Sequence, residues 1–266
     1  MPVKTGCQTY GWYHFREESG LHIPLQRILQ DIRDAGFHYV ELSSPTEELG
    51  TPEELRQLLH DTGLKLVALT GRVDGGLVEW SKQRIDYLQQ LGGEILVVNA
   101  GWIQPGEAKT AARYEALAQG LQELAEYGEP RGVQVTYHNH LGTICETTDE
   151  IERLFSMLDK TRYCIDTGHL AAAGAGVLET ISRMGPRIAY VHLKDARVDP
   201  ESGKFLEFVQ LETGNAGIDV RAVIDALVSE GFDGWLMVEQ DHTHTTPADD
   251  ANANAQTLRK LGIDIS

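Results

Sequence analysis

Apolar positions along this chain fall into short continuous runs separated by longer stretches in which they recur every three or four residues. The runs are rich in Val, Ile, Leu and Tyr and predict strands at Thr5–Tyr10, Tyr39–Leu42, Lys65–Thr70, Ile95–Asn99, Gln134–His138, Tyr163–Asp166, Ile188–His192 and Trp235–Glu239. The amphipathic stretches predict helices at Leu25–Ala35, Pro52–Thr62, Trp80–Leu91, Thr110–Tyr127, Asp149–Leu158, Val177–Met184, Val220–Glu230 and Ala248–Leu261. Helix starts carry their own chemistry. Thr51-Pro52-Glu53-Glu54 offers a capping hydroxyl, a first-turn proline and acids at the positive end of the dipole. Thr147 to Glu150 fits a capping box. Gly36, Gly63, Gly92 and Gly231 follow helical stretches and precede strands, as helix-ending glycines do.

Strands alternating with helices indicate a parallel sheet. Eight such units within 266 residues fit a closed (β/α)8 TIM barrel, an α/β fold whose usual length is about 250 residues. An open doubly wound sheet would carry a Gly-rich phosphate loop after an early strand, and neither GxGxxG nor GxxxxGK[ST] occurs here. No low-complexity linker divides the chain, so residues 1–266 read as a single barrel domain.

Charge narrows the partners. A formal net charge of −17 repels a phosphate backbone, which argues against nucleic acid. No apolar run approaches the ~20 residues of a membrane span, and the opening residues lack the apolar core of a signal peptide. Cys7, Cys145 and Cys164 form no CxxC pair and no disulfide framework. The expectation is a soluble cytoplasmic protein with no membrane partner. A homo-oligomer is compatible with the sequence, which does not specify one.

The chemistry of a (β/α)8 barrel gathers at the C-terminal ends of its strands. Asp166 ends the sixth, His192 the seventh and Glu239 the eighth. An acid or imidazole alone at such a place is commonly a helix cap or a hydrogen-bonded core residue. Three on consecutive strands converge at one mouth, and an O/N donor set without thiolate suits a divalent ion such as Mn, Co, Mg or Zn. The fifth strand should supply a fourth ligand, with two candidates. Glu146, in the loop leading to the next helix, is placed as the ligand here, and His138 at the strand end is its rival. With Glu146 on the metal, His138 and His140 are free for proton transfer. Lys194, two residues past His192, could polarise a carbonyl or merely pair with Asp195. Trp12, His14 and Trp102 are candidates for a wall against a sugar face, Glu41 for the mouth or for pairing with a neighbouring base, and His169 for substrate contact or for support behind a ligand. His242 and His244 have metal-pair spacing but read better as a solvated loop.

These residues resemble the xylose isomerase-like barrel superfamily, and most of all its inosose dehydratase branch. The resemblance rests on HxHxGT (His138, His140, Gly142, Thr143), DTGH (Asp166 to His169), HLKD (His192 to Asp195) and the GW…VE ending (Gly234, Trp235, Val238, Glu239). QTYGW near the start and GNAGID before the seventh helix are similar too, so it spans nearly the whole chain. It implies one divalent metal held by residues from strands five to eight, against adjacent oxygens of a sugar or cyclitol ketone. Carried over, Asp166, His192 and Glu239 match. Many isomerases and epimerases have a glutamate where this chain has His138, whereas dehydratase-like members carry the HxH and an acid or amide farther on, here Glu146. Endonuclease IV, a DNA-repair relation, has histidines at the ends of strands three and four. This chain has Leu69-Thr70-Gly71 and Asn99-Ala100-Gly101 there.

The resulting expectation is a metal-dependent isomerase, epimerase or dehydratase of a small sugar or cyclitol. It would remove the proton beside a carbonyl, with His138, His140 and Lys194 as acid–base groups. Without a basic cluster at a strand end, a phosphorylated substrate is not favoured. A non-catalytic sugar-binding barrel is the alternative of a different class.

Overall fold

The structure, a computed structural model, describes residues 3–265. Its strands are Lys4–Gln8 (β1), Tyr39–Leu42 (β2), Lys65–Gly71 (β3), Ile95–Val98 (β4), Gln134–His138 (β5), Arg162–Asp166 (β6), Ile188–Leu193 (β7), Asp195–Val198 (β8), Phe205–Val209 (β9) and Trp235–Val238 (β10). Its α-helices are Tyr10–Ser19 (α1), Leu25–Ala35 (α2), Thr46–Leu49 (α3), Pro52–Thr62 (α4), Val78–Leu91 (α5), Ala111–Gly128 (α6), Thr148–Phe155 (α7), Thr167–Ala172 (α8), Val177–Met184 (α9), Val220–Ser229 (α10) and Pro247–Lys260 (α11). None is long and apolar enough to cross a membrane, among the described residues.

Eight strands close into a parallel barrel in the order β1-β10-β7-β6-β5-β4-β3-β2, with helices around it: the expected (β/α)8 barrel. The ring shuts where Lys4 faces Trp235 and Cys7 faces Val238. Strands packed on both faces must be apolar almost throughout, and all of Ile95 to Val98 is buried. One apolar layer lies between strands and helices. A second, smaller one, with Val97, Cys164, Tyr190, Trp235 and Met237, fills the barrel interior. Side chains alternate faces along a strand. The residues two positions beyond Cys164, Tyr190 and Met237 are Asp166, His192 and Glu239. The candidate ligands are thus the next layer of the same interior column.

That interior is tight. A Cβ on Gly6 would lie 2.5 Å from Met237 Cε and 2.7 Å from the Tyr39 carbonyl oxygen, so only glycine lets β1 approach its neighbours.

Helix boundaries follow the caps. Thr51 accepts the Glu54 N–H at 3.3 Å while Glu54 accepts the Thr51 N–H at 2.8 Å. Glu150 accepts the backbone N–H groups of Glu146 and Thr147, each at 3.0 Å.

The helices α1, α3 and α8 and the pair β8–β9 stand outside the expected elements. The first strand ends at Gln8 rather than Tyr10, and α1 begins at once. Gly11 lets that helix lie against the chain after β10, since a Cβ there would be 2.4 Å from the Gln240 carbonyl oxygen. The helix α8 starts directly on Asp166, whose carboxylate caps it by accepting the His169 N–H at 2.7 Å. The antiparallel pair β8–β9 lies outside the eight strands expected from the sequence. Its turn is built by Asp199, which accepts the N–H groups of Glu201 at 3.1 Å and Ser202 at 2.7 Å.

Candidate metal centre and active site

His138, Asp166, His192 and Glu239 bring one nitrogen or oxygen each to within 4.8 Å of one another, and all four are buried. His138 Nε2 is 3.1 Å from Asp166 Oδ2. His192 Nδ1 is 2.7 Å from Glu239 Oε2 and 4.0 Å from Asp166 Oδ2. The far side of the His192 ring is fixed by Glu41, whose Oε2 lies 2.8 Å from Nε2. Burial disfavours a charge on His192, but Glu41 and Glu239 outweigh it and hold the imidazole well above its usual range. With the Nε2 proton held by Glu41, the ring would offer Nδ1 to a metal, the arrangement a carboxylate imposes on a metal-binding histidine.

A cation fits this donor set on an observation independent of residue type. His192 Nδ1 and Glu239 Oε2 stand 2.7 Å apart without well-directed hydrogen-bond geometry, and His138 Nδ1 is buried without a partner. Buried polar atoms rarely go unsatisfied. Two imidazoles and two carboxylates without thiolate suit a divalent ion.

Lys194 supplies the local positive charge. Its Nζ lies 3.3 Å from Asp166 Oδ2, 3.3 Å from Glu239 Oε2 and 2.8 Å from Asp241 Oδ1. Its stem crosses Gly168, where a Cβ would come 2.7 Å from Lys194 Cγ; this is the structural use of the glycine in DTGH. Burial disfavours the Lys194 charge, but Asp166, Asp241 and Glu239 outweigh it and hold the ammonium well above its usual range. Burial likewise opposes ionisation of Glu239, and Lys194 with His192 overcomes it, bringing that carboxyl down to about 2. Asp166 follows the same balance and falls well below the usual range, with Lys194 and His169 as the main opposing charges.

A cavity of about 230 Å³ opens onto His138, His192 and Glu239 and is walled in part by His140 and Trp102. His140 Nδ1 lies 2.6 Å from the Leu141 carbonyl oxygen, so Nδ1 carries the proton and Nε2 the lone pair. Burial, then the neighbouring His138, lowers its pKa to about 4. The rings of His140 and His169 are 3.7 Å apart, and Trp102 stands 4.7 Å from His140 on the other contact. Two backbone bonds pin the loops carrying Trp102 and His140 together: Ile103 N–H to Gly142 O and Ile144 N–H to Gly101 O, each 2.9 Å.

The structure distributes the candidates differently from expectation in several places. Glu146 is outside the cluster. It pairs with Lys109 Nζ at 2.7 Å and accepts the Gly142 N–H at 2.8 Å, so it ties down the loop, and His138 takes the fourth place. His138 is then one of the four grouped donors. Trp12 is buried with its indole N–H donating to Asp31 at 3.2 Å, which directs it between α1 and α2. His14 lies on α1 beside Glu18 and His242. Glu41 backs His192 from within the barrel. His169 stands behind His140, with Nε2 3.4 Å from Lys194 Nζ. Trp102 does face the cavity. Of the late histidines, His244 bonds Glu207 at 2.7 Å.

Two functional-looking residues escaped the sequence reading. Asp241 lies two residues past Glu239 on the same alternation, a signal that was available. Asn139 accepts the Asp166 N–H at 2.8 Å and the Tyr163 hydroxyl at 2.7 Å, and so fixes the backbone of a ligand. Nothing in the local pattern announced that.

Comparison with known proteins agrees with this geometry. The chain is 29% identical to an inosose dehydratase of Geobacillus thermodenitrificans (strain NG80-2) across 97% of both chains, and 28% identical to one of Lacticaseibacillus casei across 93% of both. Among solved structures, an L-ribulose 3-epimerase superposes with a TM-score of 0.76 at 21% identity, over 99% of this chain and 95% of that one. A 3-keto-D-glucoside 4-epimerase from E. coli does so at 0.75 and 16% identity, over 98% and 99%. The sequence model of the xylose isomerase-like TIM barrel family matches residues 29–261. The chain belongs to that family, and its sequence is similar to those of inosose dehydratases.

Proposed function

We propose that this protein is a divalent-metal-dependent enzyme that takes a proton from the carbon beside the carbonyl of a small cyclic sugar or cyclitol ketone, and then eliminates water. The observation that carries the proposal is the buried tetrad of His138, Asp166, His192 and Glu239 opening onto a cavity beside His140. Likeness to inosose dehydratases over nearly the full length supports the eliminating branch.

The tetrad would hold the ion; when bound there, it would supply positive charge beside the substrate carbonyl and lower the cost of enolate character. The remaining work falls to side chains of this chain. His140 presents an unprotonated Nε2 toward proton transfer, because its Nδ1–H is committed to the Leu141 carbonyl. Lys194 supplies fixed positive charge behind Glu239 and Asp241, and the proton that His140 takes from the α-carbon is the one available to a departing hydroxyl. Trp102 covers His140 and gives an apolar face to a ring. Glu41 and Asn139 orient ligands without touching substrate.

The test is incubation of the metal-loaded protein with inososes, ketohexoses and 3-keto-glycosides in D₂O. The expected result is deuterium at the α-carbon and a product lighter by one water with enone or diketone absorbance, both lost in His140→Asn. A product of unchanged mass apart from deuterium would make it an epimerase or isomerase. Absence of exchange and turnover across the panel, with metal bound, would leave a sugar-binding barrel.

A further inference from the structure

The chain carries a second group of metal-type donors that the proposed reaction does not use. His14 and Glu18 are one turn apart on α1, so their side chains lie on the same face of that helix. His242 comes from the segment between β10 and α11. One ligand atom from each of the three lies within 4.8 Å of the others. His14 Nδ1 is 3.5 Å from Glu18 Oε2, His242 Nδ1 is 3.8 Å from Glu18 Oε1, and the two imidazoles meet edge to face with centroids 4.3 Å apart.

Two features set this apart from a chance surface cluster. His14 Nδ1 is fully shielded from solvent and has no hydrogen-bond partner. Glu18 and His242 are exposed, but the shielded His14 Nδ1 lies 3.5 Å from a carboxylate that it does not hydrogen-bond, and an ion bridging the three would satisfy it. The juxtaposition is also built into the backbone. Gly11, one turn before His14, is bare so that α1 can touch the Gln240 carbonyl, and the Gln240 side chain donates to the His242 carbonyl oxygen at 2.9 Å.

We propose that His14, Glu18 and His242 form a second divalent-metal site that takes zinc or a similar borderline ion. Two imidazoles and one carboxylate are a zinc-type set, with a remaining position for water. The site joins the two chain segments that follow the neighbouring strands β1 and β10. Those segments carry Tyr10 and Asp241, both in the cavity wall. The ion acts as a clasp at the mouth, not as a reactant, and its existence does not depend on the proposed activity.

The experiment is zinc titration of chelator-stripped protein, read as bound equivalents and as thermal shift. Wild type should take two equivalents. His14→Ala and His242→Ala should each take one, and Glu239→Ala should keep one. Zinc should raise the melting temperature of Glu239→Ala but not of Glu239→Ala/His242→Ala, because only a species with an intact clasp gains by binding. Cobalt(II) should give an intense low-coordinate visible band in Glu239→Ala that disappears in the double variant. The proposal is overturned if His242→Ala and His14→Ala, folded by circular dichroism, bind as much zinc as wild type. It is equally overturned if Glu239→Ala binds none.

Discussion

Lys194 holds three carboxylates that would otherwise face one another inside a barrel. It therefore has opposite effects on the folded protein and on the ion. Replacing it by methionine keeps the apolar stem and removes the charge. Without an ion, Lys194→Met should lose about 3–5 kcal/mol of stability, the usual cost of breaking a buried ion pair. With the repelling ammonium gone, the same variant should bind its tetrad ion more tightly than wild type. Urea unfolding with and without metal checks both, and equal stability of the two stripped proteins would mean that the ammonium is not the counter-charge assigned here. Glu146→Gln and Glu239→Gln test the ligand assignment. The first should keep the tetrad ion and lose about 1 kcal/mol or less, since Glu146 is a partly exposed partner of Lys109. The second should lose the ion, as followed by metal analysis. At this scale Asp166, His192 and Glu239 were legible because alternation along a strand fixes where a residue at its end must point. The choice between His138 and Glu146 was not legible, because it depends on where Lys109 draws the loop.

Elements were legible where the local pattern decides them and illegible where a neighbour does. The helix α4 carries both its start and its stop signal in sequence and α2 its stop, and Gly36 and Gly63 close α2 and α4 in the left-handed conformation at φ 102° and 71°. The helix α1 has aromatic and charged residues on no regular period and is stabilised by contacts with Asp31 and the segment after β10. The hairpin β8–β9 did have a signal, with Asp199 to Gly203 as turn and FLEFV alternating after it, but it interrupts the strand–helix rhythm that organised the reading. The close approach at Gly6 gives a test at this scale. Gly6→Ala should destabilise by about 1–3 kcal/mol, because Met237 can move aside but the Tyr39 carbonyl oxygen cannot. Denaturant unfolding measures it. A neutral result would show that β1 can shift within the barrel.

The whole molecule follows from one count, eight strands each followed by a helix or longer return, and that count was readable before any side chain was placed. What it conceals is order in time. The ring is sealed by β1 and β10, whose pairing joins Lys4 to Trp235 and Cys7 to Val238. In refolding followed by pulsed hydrogen exchange, the amides that pair β10 with β1 should gain protection after those that pair β3, β4 and β5. Simultaneous protection would mean that the ring forms in one step. At ~5–20 residues per second, β1 leaves the ribosome roughly 10–50 s before its partner exists. Through that interval the growing sheet has two open edges and an interior exposed to water, with its acidic ligands free to meet any cation in reach. The last strand to be made is therefore the one that ends the chain's exposure to other unfinished chains, and it also delivers Glu239 to the tetrad.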